Sequence, residues 1–228
     1  MSRLNVPRTL ALYLAWMGLT CGALLAGIGG MLPFGLGAIG PDAAFLGLVE
    51  AELFFVTVVW PFFMPRLLLP QATTAVRTAG PGGEPHLLIL QIGVMMVVAL
   101  PLALVSRNLS EIGAGEFLRA QLLVGAIGCF VTALLDRPAG SRLRTWYFLG
   151  FFTVSALFPF VGFLAGEWGK GLGILAAVSP FWAAAQFRSE AALSWAPGVQ
   201  AALFGVLALA LLVAAPFRRP VDSPAASP

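Results

Sequence analysis

The stretch HLLILQIGVMMVVALPLALV, residues 86–105, decides the fold class of this chain. It contains 20 residues and no Asp, Glu, Lys or Arg. About 20 consecutive apolar residues are needed for a helix to cross the hydrocarbon core of a bilayer. Backbone groups in lipid must find their hydrogen-bond partners within the segment, and a helix provides them. The stretch therefore predicts a transmembrane α-helix.

The rest of the chain has the same character. Of its 228 residues, 59% are hydrophobic and only 10% are charged, and the mean hydropathy is +0.92. A soluble domain is typically about 45–50% apolar and about 25% charged, so this composition excludes an ordinary water-soluble protein. We expect residues 1–217 to form a single polytopic membrane domain in the lipid bilayer. The Pro- and Ser-rich residues 218–228 are expected to form a disordered cytoplasmic tail.

Six apolar runs have the length needed to cross the membrane: 10–32, 45–64, 86–105, 117–135, 145–165 and 199–217. A seventh run, 171–186, is shorter and is interrupted by Pro180. If it does not cross, nine of the 13 basic residues fall on one side of the membrane and four on the other. A crossing by this run would weaken that bias, and cytoplasmic loops normally carry the excess of Lys and Arg. The sequence thus predicts an all-α integral membrane protein with six transmembrane helices and both termini in the cytoplasm. A re-entrant or interfacial element is expected between the fifth and sixth spans.

The residue content argues against catalysis and cofactor binding in this chain. The only Gly-Lys pair, Gly169-Lys170, has Leu at position 164 and Gly at position 171, where a phosphate-binding loop needs Gly and then Ser or Thr. The single His and the two widely separated cysteines do not suggest a metal or haem site. No catalytic constellation stands out, so we expect a protein that is not an enzyme and has no cofactor of its own. The basic residues lie in short loops, which argues against a nucleic-acid partner.

Three charged residues within or near the predicted spans are candidates for a substrate pathway or for partner contacts: Glu50, Glu52 and Arg119. Ionisable groups at membrane depth are costly and are often functional. For the two acids an alternative is open, because they would be solvated if this part of the second span lay at headgroup level. Arg119 has the alternative of snorkelling to the outer interface. The six tryptophans lie mostly near predicted span ends, which indicates an interfacial aromatic belt.

The features between residues 86 and 186 follow a recognisable order. Leu100-Pro101-Leu102 precedes a short outer loop, the basic turn DRPAGSRLR occupies residues 136–144, and an aromatic-rich span contains Phe158-Pro159. The sequence LAAVSPFWAA, residues 175–184, comes before the last run. This order resembles the membrane subunit of type-2 ATP-binding-cassette exporters. In that family a Ser-Pro-Phe element like Ser179-Pro180-Phe181 follows a re-entrant hairpin before the last span.

The resemblance implies a permease subunit of an ATP-driven transporter in a bacterial inner membrane. ATP would be bound by a separate subunit, and a second membrane subunit would complete a homodimer or a heterodimer. The first cytoplasmic loop departs from the family pattern, because it lacks the Glu-Arg pair of the usual coupling helix. The candidates for coupling to the ATP-binding subunit lie in the two basic cytoplasmic loops: Gln71, Thr74, Arg77, Arg137, Arg142 and Arg144.

A second function remains open from the sequence. The small, weakly charged loops also suit a non-catalytic structural or accessory subunit of a larger membrane complex. Such a subunit would contribute helix packing and contacts with lipid or small hydrophobic ligands. The two functions differ in their partners, because only the transporter requires an ATP-binding chain.

Overall fold

The computed structural model describes residues 6–31, 42–64, 85–136, 140–158, 160–161, 164, 177–184 and 195–214. Within these ranges every regular element is helical. The α-helices are α1 Val6–Met31, α2 Ala43–Phe54, α3 Trp60–Phe63, α4 Pro85–Leu109, α5 Ala114–Leu135, α6 Gly140–Phe152, α7 Pro180–Ala184 and α8 Ala196–Val213. A first π-helical turn, Phe55–Val59, joins α2 to α3, and a second π-helical turn, Thr153–Leu157, continues α6.

Among the described residues, five helical stretches are long and apolar enough to cross a membrane: Val6–Ile28, Ala43–Phe63, His86–Leu109, Ala114–Leu135 and Ala196–Val213. These helices confirm the predicted all-α architecture with several helices of membrane-spanning length, which is the architecture of a multi-pass membrane protein. The run predicted as the fifth span is helical through α6 and the second π-helical turn. Residues 159, 162, 163 and 165 of this run lie outside the described residues, and its described part is not among these five. The number and direction of the crossings stay predictions. The predicted tail, 218–228, lies outside the described residues.

The helices at the centre of the bundle are α2 with its continuation and α5. In their spanning windows 61% and 56% of the residues are buried, against 28%, 28% and 22% for α1, α4 and α8. The two central helices run in the same direction, because Phe45 lies beside Phe117 near their beginnings and Trp60 contacts Thr132 near their ends. Residues at similar positions along α2 and α5 therefore lie at similar depth.

Two tryptophans belong to this core. Trp16 of α1 and Trp60 of α3 are 1% and 0% exposed. Their indole N–H groups donate to the Met95 carbonyl and to Thr132 Oγ1, each at 2.9 Å, which satisfies the donor that a buried Trp otherwise leaves unpaired. Both side chains therefore pack inside the bundle and not on its outer surface.

Small residues allow α1 and α2 to approach closely. A Cβ atom added to Gly27 would lie 2.5 Å from the Ala44 Cα atom, and one added to Gly47 would lie 3.7 Å from the Ala23 carbonyl oxygen. Close contact through small residues is a common way for helices to associate in membranes, where neighbouring lipid is as apolar as the side chains. Any side chain at position 27 would therefore collide with the backbone of α2 at Ala44.

α5 and α8 also run in the same direction. Near the beginnings of both helices, a Cβ atom added to Gly198 would lie 3.9 Å from Arg119 Cδ. Further along both, the rings of Phe130 and Phe204 are 5.2 Å apart between centroids. The chain that links the end of α5 to the beginning of α8 must therefore return along the length of the bundle.

Candidate functional site

The most unusual polar side chain in the described part of the protein is Glu52. It follows Ala43, the first residue of its spanning stretch, by nine positions, or about 14 Å along a helix. That is about half of a hydrocarbon core of roughly 30 Å. Glu52 is 1% exposed, so the alternative of a solvated carboxylate at headgroup level does not hold for this residue.

Glu52 is paired through one of its two carboxyl oxygens. Gln121 of α5 donates its side-chain N–H to Glu52 Oε2 at 3.0 Å. The second oxygen, Oε1, is buried and has no hydrogen-bond partner among the described residues. Buried polar atoms are nearly always hydrogen-bonded in native proteins, and an exception calls for an explanation. The pair thus leaves one unpaired acceptor between the two central helices.

Glu50 lies on the opposite side of the same helix. Residues two positions apart are separated by about 200° around an α-helix. Glu50 is accordingly exposed, whereas Glu52 is buried. Its neighbour one turn along, Phe54, is 44% exposed, so this face lies at the periphery of the bundle. The fold therefore separates the two candidate acids.

Arg119, the third charged candidate, lies near the beginning of α5. Its Nε donates to the Gly115 carbonyl at 3.3 Å, within its own helix. Glu116 accepts a hydrogen bond from the Gly113 N–H at 3.0 Å, which caps the beginning of α5. This end of α5 is satisfied locally, in contrast to the Glu52 carboxyl deeper in the bundle.

The first π-helical turn is linked to α6 by a tyrosine. Pro61 has no N–H to pair with the carbonyl four residues before it, which is that of Thr57. The Tyr147 hydroxyl donates to this carbonyl at 2.8 Å, while Thr57 Oγ1 donates to the Leu53 carbonyl at 2.5 Å. A side chain from another helix thus replaces the donor that proline removes. Such substitution is what makes prolines tolerable in membrane helices.

The second π-helical turn repeats this arrangement. Residue 159 is a proline and supplies no N–H to the carbonyl of Ser155. Ser179 Oγ lies 3.4 Å from this carbonyl and donates to it. Ser155 Oγ itself is buried without a partner in the described ranges. Each of the two π-helical turns is therefore tied to another segment by a hydroxyl group.

The Ser-Pro-Phe element singled out by the sequence begins the short helix α7. Ser179 Oγ accepts the Trp182 N–H at 3.4 Å, and Pro180 occupies the first helical position, as is favourable at a helix start. Ser179 is 0% exposed, and the Phe181 ring lies 6.1 Å from that of Phe151. The element is thus packed inside the bundle, between α2, α8 and the second π-helical turn.

A cavity of about 270 Å³ adjoins the Tyr147–Thr57 contact. It lies between the first π-helical turn, α5, α6 and α8, with Pro180 at one side, and its wall is almost entirely apolar. The wall includes Ile127, Phe130, Tyr147, Phe151 and Phe204.

The candidate coupling residues lie mostly outside the part of the chain that the structure describes. Gln71, Thr74, Arg77 and Arg137 lie outside the described residues, and the Arg142 side chain is also outside them. Arg144 is half-buried in the first turns of α6, and its Nε atom is buried without a hydrogen-bond partner in the described ranges. Coupling to an ATP-binding subunit stays a prediction.

Asp136 lies immediately beyond α5, at its C-terminal end. Partial burial raises the pKa of this carboxyl to about 6. A negative charge at the C-terminal end of a helix is also unfavourable, because the helix dipole is negative there. Asp136 is therefore a pH-sensitive group at the end of a central helix.

Comparison with known proteins adds no relative. No protein-family model, no curated protein and no solved structure matches the chain. The class of the protein, an all-α multi-pass membrane protein, therefore rests on its sequence and helices alone.

Proposed function

We propose that this chain is the membrane permease subunit of an ATP-driven transporter of the ATP-binding-cassette type. A separate subunit binds ATP, and a second membrane subunit completes the permease in a bacterial inner membrane. The observation that carries the transport role is the buried Glu52–Gln121 pair with its unpaired oxygen. Ionisable groups inside membrane bundles commonly mark substrate or ion pathways. The ATP dependence rests on the sequence resemblance.

Six crossings with both termini in the cytoplasm are part of this proposal. Supporting them, α5 and α8 run in the same direction. If both helices span the membrane, the chain between Leu135 and Ala196 crosses an odd number of times. α6 with its π-helical turn is the candidate for that crossing. The excess of basic residues in the loops on one side assigns that side to the cytoplasm.

The re-entrant element of the proposal includes α7. In its support, Ser179, Ala183 and Ala184 are each 0% exposed although α7 is only five residues long. A helix too short to span can reach such a position from the membrane surface if the chain returns to the same side. Irregular backbone at membrane depth is tolerated where it is buried in protein, as α7 is.

In the proposed transport cycle the two π-helical turns are the points at which helices bend. A helix interrupted by proline bends there because one backbone hydrogen bond is missing. The Tyr147 and Ser179 hydroxyls pair the freed carbonyls in the observed arrangement. Movement of α6 or α7 would break these hydrogen bonds and tilt the helices around Glu52.

Affinity purification of the tagged full-length chain from its native membranes tests the proposal. We expect a second chain with a nucleotide-binding loop to co-purify, and the complex to hydrolyse ATP. Replacing both members of the buried pair, Glu52→Leu with Gln121→Leu, is expected to lower ATP turnover several-fold while the complex stays assembled. Glu111→Gln, in the exposed turn after α4, is the matched control and should leave turnover unchanged.

A complex without any ATP-binding chain overturns the proposal. Unchanged ATP turnover in the double variant would remove the role of Glu52, even if an ATP-binding chain were present.

An accessory subunit of a larger membrane complex is the second candidate, and Glu50 favours it. An acidic side chain exposed on the periphery of a spanning helix is costly in lipid, and a polar group of a neighbouring membrane chain would relieve that cost. This candidate is supported if only other integral membrane chains co-purify with the protein and if they no longer co-purify with a Glu50→Leu variant. The same result contradicts the transporter.

A further inference from the structure

We propose that the 270 Å³ cavity beside Tyr147 holds one acyl chain of an anionic membrane phospholipid, whose phosphate lies at the beginning of α6. The cavity is partly open to the surface between helices. This inference goes beyond the proposed transport function and shares with it only the placement of the beginning of α6 at the cytoplasmic side.

The wall of the cavity determines the chemistry of its occupant. Three lining side chains carry polar atoms: Thr57, Trp146 and Tyr147. Tyr147 donates to the Thr57 carbonyl and Thr57 Oγ1 donates to the Leu53 carbonyl, while Trp146 is 68% exposed at the surface. Apolar cavities smaller than this one stay dry and accept apolar molecules. A sugar, peptide or nucleotide would leave its polar groups unpaired there, whereas a hydrocarbon chain would not.

The surroundings of the cavity supply such a chain. The helices that flank it present large apolar side chains outward: Leu149 and Phe152 of α6 are 57% and 56% exposed, and Leu203 of α8 is 54% exposed. In a membrane-spanning bundle these side chains face lipid. A lipid acyl chain next to them enters the cavity without leaving an apolar medium.

The basic end of α6 selects the headgroup. Arg144 precedes Tyr147 by three residues, so the two side chains lie on one face of the helix. The Arg144 Nε atom is buried without a partner in the described ranges. Arginine pairs strongly with phosphate oxygens, and basic pockets at the cytoplasmic side of membrane helices bind anionic headgroups. One lipid thus places its phosphate beside the half-buried Arg144 side chain and one acyl chain in the cavity.

Photo-crosslinking in nanodiscs tests this inference. The full-length protein is placed in phosphatidylcholine with phosphatidylglycerol whose acyl chain ends in a diazirine, and adducts are mapped by mass spectrometry after illumination. Gly150 lines the cavity, and a Cβ atom there meets nothing within 4 Å, so Gly150→Leu fills the cavity without a clash at the Cβ atom. Gly93→Leu is the matched control, because Gly93 is equally open and lies on α4.

We expect adducts to concentrate on residues that line the cavity, such as Val154 and Phe204. Gly150→Leu should lower this labelling several-fold and Gly93→Leu should not. Arg144→Gln should lower labelling by the phosphatidylglycerol probe more than by a phosphatidylcholine probe of the same chain length.

Adducts spread evenly over the lipid-facing helices, or equal labelling of Gly150→Leu and wild type, would mean ordinary lipid contact only and would overturn the site. Equal labelling by the two probes would overturn the anionic headgroup. Neither readout uses ATP or a partner chain, so its failure is distinguishable from failure of the transporter proposal.

Discussion

The buried Glu52–Gln121 pair makes a prediction about stability that separates a functional site from a structural one. Gln121→Leu removes the donor to Glu52 Oε2 and leaves both carboxyl oxygens without a partner, because Oε1 already has none among the described residues. A buried polar group left unpaired costs about 1–3 kcal/mol. We expect a loss of that size, and therefore of several degrees in Tm, at about 2–4 °C per kcal/mol for a chain of this length.

The double variant Glu52→Leu with Gln121→Leu should recover this loss. It replaces both polar groups by apolar ones of similar size, which is commonly neutral or stabilising in a buried position. The assay is thermal unfolding of the purified protein in detergent, followed by tryptophan fluorescence. A double variant as stable as wild type but defective in ATP turnover identifies a pair kept for function.

Two results would refute this reasoning. If Gln121→Leu were as stable as wild type, the 3.0 Å hydrogen bond would not contribute in the folded protein. If the double variant were less stable than Gln121→Leu, the Glu52 carboxyl would itself stabilise the protein. A stabilising carboxyl would contradict the unpaired Oε1 atom.

Three further predictions concern the helices around this pair. Tyr147→Phe should lower the free energy of unfolding by about 0.5–1.5 kcal/mol, because it removes the donor to the Thr57 carbonyl. The loss should be smaller in a Pro61→Ala background, where residue 61 regains an N–H. Equal losses in both backgrounds, measured by thermal unfolding, would show that Tyr147 does not replace the N–H that Pro61 lacks. Gly27→Ala should destabilise the protein, because the new Cβ atom would lie 2.5 Å from Ala44 Cα. In Gly22→Ala, on the same helix, the new Cβ atom meets nothing within 4 Å, so this variant should be neutral or stabilising. Similar Tm values for the two variants would argue against close packing of α1 on α2. Asp136→Asn should raise Tm more at pH 7.5 than at pH 4.5. The folded-state pKa of about 6 is raised above the usual value of 3.8, so the charge of Asp136 lowers stability progressively as pH rises from about 4 to about 6. A gain of the same size at both pH values would show that the charge of Asp136 is not responsible.

The membrane-spanning helices were predictable because length and hydropathy are local properties of a stretch of sequence. Five of the six predicted runs coincide with helices long and apolar enough to cross. The remaining run, 145–165, is described only in part, because residues 159, 162, 163 and 165 lie outside the described ranges. Its described part is helical and continues as a π-helical turn.

The depth of Glu52 could be read only approximately from the sequence. The apolar run was predicted to begin at residue 45, whereas the spanning helix begins at Ala43 and places Glu52 near its middle. Helical geometry alone puts Glu50 and Glu52 on different faces. It does not say which face is inside, because the other residues of α2 are apolar on every side. Only packing against α5 decides that.

The hydrogen-bond partners were beyond sequence reasoning, although part of the signal was present. A proline inside a helix identifies the carbonyl four residues earlier as unpaired, and this rule indicates Thr57 and Ser155. The donors, Tyr147 and Ser179, are 90 and 24 residues away along the chain. Gln121 likewise stands 69 residues from Glu52, and nothing in one sequence brings such residues together.

The six-crossing topology is the claim on which the transport account depends, and impermeant-maleimide labelling of single cysteines in intact cells tests it. After the native Cys21 and Cys129 are replaced, one cysteine is placed before α1, one at position 111, and one in the segment 218–228. The account predicts that position 111 is labelled from outside and that both ends are labelled only after the membrane is permeabilised. Labelling of the C-terminal segment from outside, with the N-terminal cysteine protected, would mean an odd number of crossings and would contradict the account.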